Sequence, residues 1–140
     1  MDDEGRTGVA AGGTGPVSQS GLIQHCDRDK RMKLCRIIAK YKDDQGRTDD
    51  NEVIVLQCGL DDTNHIITKR EWMGYVRNHN FYWPFILRRN GAEFFYGGDE
   101  HSAQETNISS KKIEENTYFT LHDYVYVIVK IEPLGDVSNI

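Results

Sequence analysis

The chain has 140 residues, a net charge of −5 and an apolar fraction of 38%. That length sets a single domain, large enough to bury a core without disulfides or a structural metal. The acidity disfavours non-specific nucleic-acid binding, which works by neutralising phosphates, and no apolar run reaches the ~20 residues of a membrane helix.

The charge is uneven. Residues 97–140 hold three Lys/Arg against eight Asp/Glu. The first residues, Met1-Asp2-Asp3-Glu4, carry no apolar segment of the signal-peptide kind, and the cysteines (Cys26, Cys35 and Cys58) are odd in number. Together these predict a soluble, cytoplasmic protein in a reducing compartment.

Residues 1–31 are Gly-rich and poor in large apolar side chains, and they predict a disordered extension. Gly12-Gly13-Thr14-Gly15 lacks the preceding strand, the following helix and the Gly-Lys-Ser/Thr ending of a phosphate loop. A single domain is expected over 32–135, with 136–140 as a short tail. Residues 34–42 alternate: Cys35, Ile37, Ala39 and Tyr41 share one face, and Arg36, Lys40 and Lys42 the other. That period of two predicts a half-buried strand. The polar stretch 43–51 is a turn that resembles a calcium loop in composition only, since the ligand spacing is absent. Val53-Ile54-Val55-Leu56 predicts a second strand, antiparallel to the first.

Thr68 followed by Glu71 has the form of a capping box, and Ile67 with Trp72 that of a hydrophobic staple. With Trp72, Met73 and Val76 at helical spacing, these residues predict the main helix of the chain, ending near Asn78-His79-Asn80. Gly74 inside it is unfavourable by roughly 1 kcal/mol against alanine, and suggests a close approach to a sheet. Pro84 marks the following strand as an edge. Asn90-Gly91 between apolar runs predicts a tight hairpin. Residues 97–117 predict a long, mobile polar loop. Residues 124–131, with Val125, Val127, Val129 and Ile131 alternating, predict a central strand. The fold class that follows is α+β: a mostly antiparallel five- or six-stranded sheet with one main helix packed on one face.

Two surfaces are candidates for function. Arg77, Tyr82, Trp83, Arg88, Arg89 and Tyr96 combine the residue types that anchor interfaces, against the plainer reading of core packing. Asp99, Glu100, Glu105, Glu114 and Glu115 would form an acidic docking surface for a basic partner, against the plainer reading of a solvated face. The expected function is a non-catalytic protein-binding module of the inhibitor, immunity or phage and mobile-element accessory type. One alternative is a single-stranded nucleic-acid binder using the basic-aromatic patch. A second is a small enzyme with a site near Cys58 and His65. No cofactor is expected. Nor is a metal: His25, Cys26, Cys35, Cys58 and His65 supply donors without zinc-site spacing. The expected partner is another protein rather than nucleic acid or membrane, with a homodimer through the Pro84 edge strand open.

Overall fold

The structure, a computed structural model, describes residues 31–98 and 103–138. The expected extension over 1–31 lies almost wholly outside them, as do Asp99 and Glu100. One compact unit spans Lys33–Gly135. Of a second unit, only the outer ends of two strands, 31–32 and 136–138, are described.

Eight strands form one sheet: β1 (Arg31–Lys42), β2 (Thr48–Leu60), β3 (Trp72–Asn78), β4 (Phe81–Arg88), β5 (Glu93–Phe95), β6 (Ala103–Glu105), β7 (Tyr118–Leu121) and β8 (Tyr124–Ser138). Their order across the sheet is β6-β5-β4-β3-β2-β1-β8-β7. Strands adjacent in sequence therefore pair everywhere except at β6 and β7, and β1 also meets β8. The two outermost strands then approach each other. Thr106, just past β6, bridges Leu121 of β7. The His122 amide donates to the Glu105 carbonyl at 2.7 Å, and the Thr120 amide to Asn107 Oδ1 at 2.8 Å. The result is a nearly closed antiparallel barrel. Closure removes the unpaired edges that an open sheet must protect.

This corrects the α+β expectation: there is no α-helix among the described residues, and the segment expected as a helix is β3. Trp72, Gly74 and Val76 face the barrel interior, while Met73, Tyr75 and Arg77 face outward. Thr68 caps nothing, and the Trp72 indole N–H donates to the Ile67 carbonyl at 2.6 Å instead of joining a staple. Gly74 explains why a strand wins. It sits opposite Leu56 on one side and Phe85 on the other. A β-carbon there would lie 2.3 Å from the Val55 carbonyl oxygen and 2.8 Å from the Phe85 ring. Phe85 occupies the space a side chain would take, and its ring stacks on Phe94 at 3.8 Å. A local capping signal cannot outweigh this non-local packing.

The Pro84 strand lies inside the sheet order, and the expected edge is confined to the stretch 81–85, which pairs on one side only. β4 pairs with β3 along its whole length and with β5 from Ile86 onward. Pro84 precedes the β5 pairing, so its missing N–H interrupts no bond on that side. The Asn90-Gly91 hairpin is present, but its loop is four residues, with Arg89, Asn90 and Gly91 all at positive φ.

The core is the barrel interior. Ile37, Ile54, Leu56, Cys58, Leu87, Phe94, Phe119 and Ile128 are buried almost completely. One end of the barrel is filled by its connections. Ile66 enters from the 61–71 connection, and Ile108 and Ile113 from the 106–117 segment, all of them 3% exposed or less. The Ile113 amide donates to the Asn64 carbonyl at 2.7 Å, tying the two connections together. The expected polar loop near 97–117 thus contains β6, a 3₁₀ turn (Ile108–Ser110) and two residues of the core.

Candidate ligand site at the barrel mouth

The opposite end of the barrel is open among the described residues. Three connections there are short: residues 43–47 between β1 and β2, 79–80 between β3 and β4, and 122–123 between β7 and β8; of the fourth, between β5 and β6, only 96–98 are described. His79 and His122 begin the two-residue turns at φ 56° each. Turns this tight reverse the strands without folding over the opening. A cavity of about 600 Å³ is left between the strand ends. An eight-stranded barrel is the size at which an interior either fills with side chains or holds one small ligand.

Five aromatic rings wall this mouth: Tyr41 from β1, Trp83 from β4, Tyr96 after β5, and Tyr124 and Tyr126 from β8. Each reaches it by strand alternation. Tyr41 continues the inward series Cys35, Ile37, Ala39, and Trp83 the series Leu87, Phe85. Val76, Ala103 and Leu121 complete the apolar wall. Tyr41 makes edge contacts to Tyr124 at 5.8 Å and to Tyr126 at 5.9 Å. Trp83 and Tyr124 remain 55% and 52% exposed, so large apolar faces stay in water.

The polar lining is Asp49 and Glu52 from β2, Asn78 from β3, and Gln104 from β6. The Tyr126 hydroxyl donates to Glu52 Oε2 at 3.4 Å, and the Tyr96 hydroxyl to Gln104 Oε1 at 2.6 Å. Burial, aided by the nearby charge of Asp49, pushes the Glu52 carboxyl above its ordinary value. The Tyr126 hydrogen bond and His79 oppose that shift. Burial likewise raises the Tyr96 and Tyr126 hydroxyls, so both stay protonated donors. A concave, largely apolar pocket with a few convergent polar groups and a perturbed carboxyl is the usual form of a small-molecule site.

The residues expected from sequence separate into three places. Trp83 and Tyr96 line the mouth. Arg77 and Tyr82 are direct cross-strand partners on the outer wall, where Tyr82 packs on Tyr75 at 5.3 Å. Arg88 and Arg89 lie at the far end of β4, both paired to Glu93, at 2.7 and 3.0 Å. The Arg88 guanidinium also covers the Phe95 ring at 3.6 Å. The basic-aromatic set is therefore not one patch. Of the acidic set, Glu105, Glu114 and Glu115 are all exposed. Glu105 and Glu114–Glu115 come from different parts of the β6–β7 region. Cys58 is the direct cross-strand neighbour of Cys35 on the adjacent strand, both buried, and that partner and burial push its thiol up. The His65 ring is instead held on a surface turn by Thr63, at 3.0 Å to Oγ1 and 3.1 Å to the carbonyl. The two are not brought together.

Tyr41, Asp49, Glu52, Tyr124 and Tyr126 are the functional candidates that sequence reasoning missed. The alternation around Tyr41 is legible in the sequence, but only the long-range pairing of β1 with β8 sets Tyr41 beside Tyr124 and Tyr126. No group of three or more metal-ligating side chains occurs among the described residues, nor any helix long and apolar enough to cross a membrane. Against known proteins, no family model matches the chain, no curated protein matches it, and no solved structure matches it.

Proposed function

We propose that this protein is a non-catalytic binding barrel whose open end takes one small, amphipathic molecule. The observation that carries the reading is the ~600 Å³ mouth with solvent-exposed Trp83 and Tyr124 in its wall. Such exposed aromatic area, beside a core otherwise well filled, gains most by contact with an apolar ligand surface. The polar groups on β2, β3 and β6 would fix the orientation of the ligand.

The test is titration with the neutral fluorophore N-phenyl-1-naphthylamine. A saturable rise in emission is expected, with loss in Ala103→Trp, which fills the mouth. Saturable binding that Ala103→Trp leaves unchanged would place the ligand elsewhere and end this reading.

A protein partner is the second reading, favoured by the outer wall of β3 and β4. There Met73 is 70% and Tyr82 60% exposed, with Arg77 directly opposite Tyr82. Aromatic and Arg side chains on one face are typical anchors for another protein. Met73→Asp with Tyr82→Asp should abolish capture of that partner while fluorophore binding persists.

A further inference from the structure

Resting on the mouth as a ligand site, the chemistry of its wall narrows the ligand class. Asp49 and Glu52 bring two carboxyl groups to one side of the cavity. No described lining residue is positively charged. The cations nearby are engaged elsewhere. Lys40 Nζ lies 2.6 Å from Asp50, and Lys42 Nζ donates to the Tyr118 hydroxyl. Arg47 pairs with Asp43, and Arg77 donates to the Asp50 and His79 carbonyls. Facing the carboxyls are ring systems, which attract cations through their electron-rich faces.

We infer that the mouth binds an organic cation: an ammonium group, carried on an apolar body, set between the aromatic rings and the Asp49–Glu52 pair. An anionic ligand would meet two acids with no compensating charge. A hard metal ion would want an oxygen-rich shell, whereas the wall is mostly aromatic. An alkylammonium suits both halves of the lining. Its charge is spread over carbon-bound hydrogens that the rings accept, and its body fills the apolar side.

The arrangement also explains why two acids tolerate each other inside a pocket. Empty, burial and Asp49 favour the protonated form of Glu52, with Tyr126 and His79 the other titratable groups facing it. A bound cation lowers the Glu52 pKa again, so in the pH range around and below the raised value binding releases a proton. Affinity therefore rises with pH through the raised Glu52 pKa and levels off above it.

The test is displacement of N-phenyl-1-naphthylamine by three ligands of similar size: benzyltrimethylammonium, benzyl alcohol and phenylacetate. The cation is expected to bind about tenfold more tightly than the alcohol, with phenylacetate weakest. In Glu52→Gln with Asp49→Asn, the advantage of the cation over the alcohol should be lost. The rise of cation affinity with pH should also vanish in Glu52→Gln. Equal binding of cation and alcohol, or tightest binding of phenylacetate, overturns the cation assignment and leaves the mouth as a ligand site. If the fluorophore itself fails to bind there, both readings fall together.

Discussion

The two ends of the barrel are built from the same strands and differ in what joins them. At the filled end two of the connections are long, 61–71 and 106–117, and they send Ile66, Ile108 and Ile113 inward, while the third, 89–92, is a four-residue turn. At the mouth the described turns have two to five residues, too few to deliver a side chain across the opening. The strands supply large residues to both ends. Phe94 is wholly buried near the middle, whereas Trp83, a similar investment in ring area, is 55% exposed. Among the described connections, the two long ones thus fill one end with side chains, and the short turns leave the other open.

The contrast can be broken first at the filled end. Phe94→Ala removes a ring stacked on Phe85 and should lose about 3–5 kcal/mol in chemical denaturation. Ile108→Ala, by the same reasoning, should lose about 2–5 kcal/mol. A loss under about 1 kcal/mol for either would show that this end is not packed as described. Gly74→Ala comes next. Its β-carbon would meet backbone as well as the Phe85 ring, so a loss of about 1–3 kcal/mol is expected, with partial recovery when Phe85→Leu is added. Recovery without the initial loss, or no recovery at all, would separate the ring contact from the backbone contact.

At the mouth the expected pattern inverts. Tyr124→Ala should change stability by only about 0.5 kcal/mol, because half of the residue is already in water, yet should abolish fluorophore binding. Glu52→Gln is the subtlest. Since the folded carboxyl has the higher pKa, the folded state holds a proton the unfolded state has lost. The contribution of Glu52 to stability therefore falls as pH rises from the ordinary carboxylate value through the raised one, against the opposite contribution of carboxylates held low, such as Asp43, Asp50 and Glu132. Glu52→Gln should remove that fall and be slightly more stable than wild type at neutral pH, as read from thermal midpoints at pH 4 and pH 7. A variant that follows the wild-type pH curve would mean that Glu52 is not the group responsible.

Much of the barrel was legible in the sequence where one strand carries its own signal. Alternation in β1, the β-branched run of β2 and the apolar β8 all identify strands from within. β6 has no such signal: Ala103-Gln104-Glu105 is a strand because three residues of β5 pair with it. β3 was legible in the wrong sense. Its Trp72, Met73 and Val76 fit a helical stripe, while the strand alternation of the same residues shows only once Gly74 is placed against Phe85. The site was half visible. Trp83 and Tyr96 stand out as rings in a polar setting, but Tyr126 is 85 residues from Tyr41 and 74 from Glu52. The pairing of β1 with β8, a non-local event, is what gathers them.

The meander order has a kinetic corollary. The pairings from β2 to β6, and that of β7 with β8, join segments close in sequence and can zip from their turns. The contact of β1 with β8 spans most of the chain, with Arg36 reaching Glu132 at 3.1 Å. Loop-closure entropy makes such a pairing slow to form until the intervening strands have shortened the path. The ligand site takes Tyr41 from one side of that junction and Tyr126 from the other. Competence to bind therefore arrives with the last long-range step of folding, and in a refolding experiment the mouth should report later than a global probe of strand content.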